Sequence, residues 1–381
     1  MDFTRLEHFI DSLETLDVPA CDIAVFKGHK EVFRHSSGFS DAACTKPVTK
    51  NDIHWLYSMS KVITCTAAMR LVERGKLSLD DEVAKYLPEF ANVTVKDGDT
   101  VRPAKTKMLV WHLFSMRSGM DYDLWSPSLK AARENKNATT RELVRAMAND
   151  PLLFDPGADY KYSLSHDVLA AIIEVVSGKT FYQYLCDELF TPLGMKNIGF
   201  HPTAEQLKHF TQQYCYDDSS LRSFKIDNNC AYMLSDVYES GGAGLFATLD
   251  EYAKVADALA NFGTAANGYQ VLKPETINLM RQNRQDTLCD SNWDKHGYGY
   301  GLGVRTLMNK DAARSNGPVG EFGWDGAAAS YCLIDPDNSL CIVFTTQILG
   351  CRLLYGIAHP EIRNLTYRAL GIDTPFKLIR E

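Results

Sequence analysis

The sequence predicts an α/β (α+β) protein in which one sheet domain is split by a long helical insertion. Strand signals cluster at the two ends of the chain, over residues 22–34 and again over 299–346. Between them, from about residue 77 to 232, apolar residues recur mostly at helical spacing. The expected division is therefore 1–80 with 236–381 as a discontinuous sheet domain and 81–235 as an all-helical domain. A site is expected in the cleft between them.

Each element has a local reason. Residues 1–10 carry an amphipathic helix pattern with acidic residues, lacking the basic start and continuous apolar stretch of a signal peptide. Asp22-Ile23-Ala24-Val25-Phe26 and Glu31-Val32-Phe33-Arg34 read as a hairpin around Lys27-Gly28-His29-Lys30. After Lys61, Val62 to Val72 holds one charge, Arg70, so this helix is apolar nearly all round and belongs in a core. It ends near Gly75, a glycine suited to the position just past a helix. Another helix spans 165–177, with Gly178 after it. Strands return at 299–306, 329–335 and 340–346, the last two around the turn Pro336-Asp337-Asn338-Ser339. A final helix begins near Pro360.

Composition narrows the class. A chain of 381 residues with 45% hydrophobic and 23% charged residues buries a sizeable core and has the balance of a soluble globular enzyme. Net charge is -8 without blocks of like charge, which argues against nucleic acid or an anionic membrane as partner. No apolar run reaches the length of a membrane span. The ten cysteines form no C-x-x-C pair, which excludes zinc-ribbon and thioredoxin-like readings. With no export signal they read as reduced thiols, and the expected location is the cytoplasm.

Ser58-Met59-Ser60-Lys61 carries the chemistry. Positions i and i+3 share one helix face, which puts the Lys61 amine beside the Ser58 hydroxyl. A serine hydroxyl is a poor nucleophile until a neighbouring base takes its proton. The alternative is a helix-start serine acting as a cap, with a solvated lysine one turn on. The apolar helix behind argues against it, because a lysine at its mouth must be paired or perturbed. The chemistry indicated is acyl transfer through a serine ester.

Other patterns offer less. There is no G-x-S-x-G elbow and no H-E-x-x-H, so His112 and His166 read as makers of structural hydrogen bonds. Gly241-Gly242-Ala243-Gly244 lacks the lysine of a phosphate loop and reads as a tight turn or a close approach to the cleft. Tyr122, Trp125, Tyr232 and Tyr238 are either pocket walls or core packing, and Arg305 with Asp325 either binds a polar substrate end or pairs at the surface.

Read together, these stretches carry a resemblance over nearly the whole chain. Trp55-Leu56-Tyr57-Ser58-Met59-Ser60-Lys61 resembles the first motif of the serine β-lactamase and penicillin-recognising superfamily. Asp80 to Pro88 is similar to its following loop, and Trp111-His112-Leu113-Phe114-Ser115-Met116-Arg117-Ser118-Gly119 to its HLLTHTSG stretch. Pro156-Gly157 with Tyr160-Lys161-Tyr162-Ser163 resembles the second motif, and Gly323-Trp324-Asp325-Gly326 sits where the third belongs. The branch implied is that of class C β-lactamases and their esterase relatives. Its fold is β-lactamase/transpeptidase-like: an antiparallel sheet flanked by helices, plus the helical insert.

The resemblance implies Ser58 as nucleophile, Lys61 as its proton-shuttling neighbour and Tyr162 as partner base, its phenolate favoured by the nearby ammonium. Tyr160 is the rival base, and the motif register favours Tyr162. The implied oxyanion hole is the backbone N–H of Ser58 and of Ala327. Two departures matter. Leu164 stands where β-lactamases have the asparagine of Tyr-x-Asn, and Trp324 where they have the lysine of Lys-Thr-Gly. The expected pocket, with Leu164, Trp324, Asp325, Gly326, Tyr122 and Trp125, is apolar and weakly cationic. It resembles the carboxylesterases and the statin-pathway acyltransferase of this branch. The expected activity is hydrolysis of a small ester through an acyl-enzyme, with no metal or cofactor. The alternatives are acyl transfer to an alcohol or amine, weak β-lactamase or D-amino-acid peptidase activity, and a non-catalytic scaffold or sensor.

Overall fold

A computed structural model describes residues 1–285 and 296–372, so Cys289 lies outside the described residues. Its centre is a seven-stranded sheet in which every neighbour is antiparallel. Edge to edge the strands are Tyr298–Tyr300, Arg305–Leu307, Phe322–Asp325, Tyr331–Asp335, Leu340–Thr346, Ala20–Lys27 and Lys30–Gly38. The N-terminal hairpin thus completes a sheet begun by the C-terminal third of the chain.

Leu340–Thr346 is buried along its whole length because both faces are covered. Strand residues alternate between faces. Leu340, Ile342 and Phe344 join Leu6, Ile10, Ile362 and Leu365, from the helices Thr4–Ser12 and His359–Ala369. Cys341 and Val343 face the opposite way, into the core shared with the helices Leu249–Ala260 and Ser60–Glu73. Ser60–Glu73 is buried at every position from Ser60 to Leu71, as a run apolar nearly all round after Lys61 predicts. It packs against Ser165–Ser177.

Two expectations are corrected. The strand expected over 299–306 is a hairpin, Tyr298–Tyr300 against Arg305–Leu307. Its turn is closed by Gly301 N–H donating to Val304 O at 2.8 Å. Gly303 there takes φ +86°, and a Cβ on it would lie 2.1 Å from the Cys65 sulfur, so only glycine lets the turn sit on the buried helix. The stretch 81–235 is not helix alone. It also holds the hairpins Thr94–Asp97 with Thr100–Pro103 and Tyr214–Asp217 with Arg222–Lys225. A small three-stranded sheet joins Ile53–Trp55, Phe246–Thr248 and Ile198–Gly199, tying the segment before Ser58 to residues far along the chain. Nine cysteines among the described residues carry free thiols, six of them buried. Among those residues no helix is long and apolar enough to cross a membrane.

The central strand sets the stability of the sheet. Phe344→Ala removes a fully buried ring from a close-packed layer and is expected to cost about 3–5 kcal/mol. Urea unfolding followed by circular dichroism checks this: a lower midpoint at unchanged slope is the expected result.

Candidate active site

Ser58 lies in a single 3-10 turn, Tyr57–Met59, two residues before the helix Ser60–Glu73, which the sequence expected to open at Ser58. Tyr57 takes a left-handed backbone, φ +47°, which a tyrosine adopts only when its surroundings hold it there. Its hydroxyl donates to Gln213 Oε1, and its ring meets Tyr232 edge-on at 5.9 Å. The next helical turn is fastened to residues 241–245 by three polar side chains. Ser60 Oγ accepts from Leu245 N–H at 3.1 Å, Thr64 Oγ1 donates to Gly241 O at 2.7 Å, and Lys61 Nζ donates to Gly242 O at 2.7 Å. The glycine stretch is therefore a close approach. A Cβ on Gly241 would meet His166 O at 2.4 Å.

Two groups converge on the Ser58 hydroxyl, and a third supports one of them. Tyr162 Oη donates to Ser58 Oγ at 2.7 Å, and Lys61 Nζ lies 3.2 Å from the same oxygen. Trp324 Nε1–H donates to Tyr162 Oη at 3.2 Å. Tyr160 instead packs edge-on against Tyr300 at 5.6 Å, so the geometry puts Tyr162 and not its rival on the serine.

Lys61 is completely buried. Burial drives its pKa down to about 7 against the pull of the Asp167 charge. Burial pushes the Tyr162 phenol up, and its hydrogen bonds to Ser58 and Trp324 only partly offset this. Both shifts favour the neutral amine and the neutral phenol. The expected sharing of charge, with an ammonium favouring a phenolate, is reversed, because desolvation penalises both ions.

A cavity of about 400 Å³ opens over Ser58. Tyr122, Tyr162, Tyr232, Trp324 and Tyr355 form its aromatic walls, with Gly326 and Ala327 at one side. Tyr122 stacks on Tyr162 at 5.3 Å and stands edge-on to Tyr232 at 5.8 Å. Among the described residues no lysine or arginine lines this cavity, and Asp325 is the charged residue at its rim. The Asp325 carboxylate is engaged from behind by Arg305 Nη1 at 2.7 Å, with both side chains mostly buried. That pair belongs to the interior, which corrects the expectation of a surface pair.

Two expected pocket residues are elsewhere. Trp125 is 63% exposed and lies under the Arg133 guanidinium, 4.5 Å from its ring centroid. Leu164 is buried and turns into the core beneath a separate cavity with Met120 and Leu152. An apolar side chain at that position gains more from the core than from the cleft. Tyr238 is buried on Asp167 rather than lining the cavity, while His112 and His166 bond to backbone at Leu109 and Phe114.

Two further residues escape a reading of the sequence. Tyr355 Oη contacts Gly326 O at 2.6 Å and Ala327 O at 3.0 Å, and accepts from Ala329 N–H at 3.2 Å. It pins the turn that carries Ala327. Asp167, buried behind Lys61, stands in the first turn of the helix Ser165–Ser177, just before the apolar run that starts at Val168.

The chain is 30% identical over 338 residues to the lovastatin esterase of Penicillium rubens, covering 79% of this chain and 81% of that protein. It is 25% identical over 355 residues to esterase EstB of Burkholderia gladioli, covering 85% of each. In structure it is similar to EstCE1, a hydrolase with promiscuous acyltransferase activity, with a TM-score of 0.80 at 23% identity over 96% of this chain and 98% of that one. The Beta-lactamase family model matches residues 7–351. The chain therefore belongs to the Beta-lactamase family and is an enzyme related to its serine hydrolases.

Proposed function

We propose that the protein hydrolyses small neutral esters through an acyl-enzyme on Ser58. The carrying observation is the convergence of Tyr162 Oη and Lys61 Nζ on Ser58 Oγ at the floor of an aromatic cavity. In acylation Ser58 Oγ bonds to the acyl carbon, and the carbonyl π pair moves onto its oxygen. The serine proton passes to the neutral Lys61 amine. Backbone N–H groups of Ser58 and Ala327 receive the oxyanion. The C–O bond to the alcohol then breaks, and the leaving alkoxide regains a proton from the Lys61–Tyr162 pair, which acts as one titrating unit. Water repeats the sequence on the acyl-enzyme and releases the acid.

The cavity supports an uncharged substrate. A carboxylated lactam needs a cationic or amide group to hold its carboxylate, and at the two positions concerned stand Trp324 and the core-facing Leu164. The same acyl-enzyme supports transfer to an alcohol or amine. That second reading is supported by the likeness to a hydrolase with promiscuous acyltransferase activity and to the acyltransferase mokF of Monascus pilosus, 27% identical over 63% of this chain.

A fluorophosphonate is expected to add one adduct, on the Ser58 peptide, and none in Ser58→Ala. p-Nitrophenyl butyrate turns over and a chromogenic cephalosporin does not; a higher kcat/KM for the cephalosporin sinks the ester reading. Alcohol acceptors at millimolar concentration separate transfer from hydrolysis by the share of acyl group they capture.

Lys61→Ala and Tyr162→Phe each lower kcat by about 10²–10⁴-fold, and the double variant is little worse than either, because both act on one proton. Multiplying losses would show independent roles. Trp324→Phe removes the indole N–H from Tyr162 and lowers kcat by about three- to tenfold with the fold intact.

The pH dependence follows from the buried amine. Lys61 must be neutral to accept a proton, and its pKa lies at about 7. The active fraction therefore rises with pH through neutrality and levels off above it. A kcat/KM profile for a neutral ester is expected to show this acid limb, and a flat profile from pH 5.5 to 8.5 (about the range where such a limb is visible) contradicts it.

A further inference from the structure

We propose that Asp167 is a positioning residue for the proposed base: its buried carboxylate is the counter-charge that lets Lys61 hold the Ser58 proton as an ammonium ion. The inference rests on the acyl-enzyme reading above and adds a group that touches neither substrate nor nucleophile.

The argument starts from the ammonium. The hydrogen-bond partners of Lys61 are Ser58 Oγ at 3.2 Å, Tyr122 Oη at 3.5 Å and Gly242 O at 2.7 Å, all uncharged acceptors. With the side chain fully buried, a positive charge formed here during acylation has no water around it.

Asp167 stands behind that site. It is 1% exposed and sits in the first turn of the helix Ser165–Ser177. Its Oδ1 accepts from Tyr238 Oη at 2.6 Å, Ser240 Oγ at 2.6 Å and Gly242 N–H at 3.4 Å. Its Oδ2 is buried with no hydrogen-bond partner among the described residues. A buried carboxylate oxygen left without a donor is costly unless a charge compensates it.

Gly242 shows where that oxygen points. A Cβ on Gly242 would lie 2.6 Å from Asp167 Oδ2 and 3.5 Å from Lys61 Nζ. The two groups therefore face each other across the space that glycine leaves empty. The residue also links them through its backbone, its N–H turned to the carboxylate and its C=O to the amine.

The surrounding groups leave this role to Asp167. On Lys61's own segment stand Ser58 and Cys65, and burial pushes the Cys65 thiol up. From Ser165–Ser177 come His166 and Asp167, and burial drives His166 down to about 3, so it is neutral. Tyr122 and Tyr162, from the loops over the site, are pushed up by burial and stay neutral phenols. Residues 240–245 supply only a hydroxyl and backbone. Among the described residues packed against Lys61, Asp167 is thus the one acid.

The test is Asp167→Asn, which keeps an acceptor for Tyr238 and Ser240 and deletes the charge. Without the counter-charge an ammonium is less favoured, so the acid limb of kcat/KM shifts to lower pH by about one unit. The pH-independent kcat falls by about tenfold or more while KM changes little, because the lost stabilisation acts on the protonated base and not on bound ester. Fluorophosphonate still labels Ser58, more slowly. Ser240→Ala, which keeps the charge, leaves the limb in place. An Asp167→Asn protein that is folded and less active, but whose limb has not moved or has moved to higher pH, overturns the proposal and leaves a structural role. If the asparagine variant does not fold, Asp167→Ser carries the same test with a smaller neutral side chain. A limb that persists in Lys61→Ala overturns the base assignment and this proposal with it. A limb that depends on Lys61 but ignores Asp167 overturns this proposal alone.

Discussion

The burial of one amine governs the site. Lys61 sits in a helix with no access to water, and a charged lysine there would carry a desolvation cost of several kcal/mol. The protein meets this by lowering the pKa of the amine to about 7 and surrounding it with acceptors. Ser60, Lys61 and Thr64 lie along one side of the helix and bind residues 241–245, so the contacts that fasten the helix also orient the base. Gly241 and Gly242 follow from the same demand, because no other residue lets the backbone come so close to this helix and to the start of Ser165–Ser177.

The same accounting explains the cavity. Aromatic rings line the approach to the serine without placing a charge there. Asp325 would break that pattern, but Arg305 holds its carboxylate from the neighbouring strand Arg305–Leu307. What lines the cavity is then mostly aromatic, with its one carboxylate already paired, and suits a neutral acyl group. The C-terminal region completes it. Tyr355 and His359 hold the turn Gly326–Ala329 from behind, His359 by Nε2–H donating to Ala329 O at 2.9 Å. The helix His359–Ala369 is thus a sheet-covering element and also a brace for the segment that carries Ala327.

Much of this is legible in the sequence where chemistry or periodicity is local. The Ser58–Lys61 spacing, the helix 165–177 with its glycine stop and the turn at 336–339 all depend on neighbours in the chain. The hairpin at 94–103 carries a local signal too, since Gly98-Asp99 is a two-residue turn, but the helical tone of its surroundings masks it. Trp125 and Leu164 show what was not. Whether an aromatic lines a cleft or lies under an arginine is decided by tertiary packing, and a leucine in a polar family's place says only that the polar group is gone. Asp167 and Tyr355 act through residues 75 and 29 positions away, and no local pattern reports such contacts.

Strain marks the places where the fold serves the chemistry. Three non-glycine residues in left-handed backbone hold the segments that meet at the serine. Tyr57 precedes Ser58, Ala329 closes the turn after Ala327, and Met116 offers its carbonyl to Lys161 N–H at 2.9 Å, next to Tyr162. Each conformation costs of order 1–3 kcal/mol. Each is held by partners drawn from elsewhere in the fold: Gln213 on Tyr57, Tyr355 and His359 on Ala329, Ser163 Oγ on the Met116 sulfur at 3.6 Å. Local preference is overruled at those joints because the nucleophile, the phenol and the oxyanion turn come from separate stretches of chain. The stable sheet and its two covered faces supply the surplus that keeps them in place.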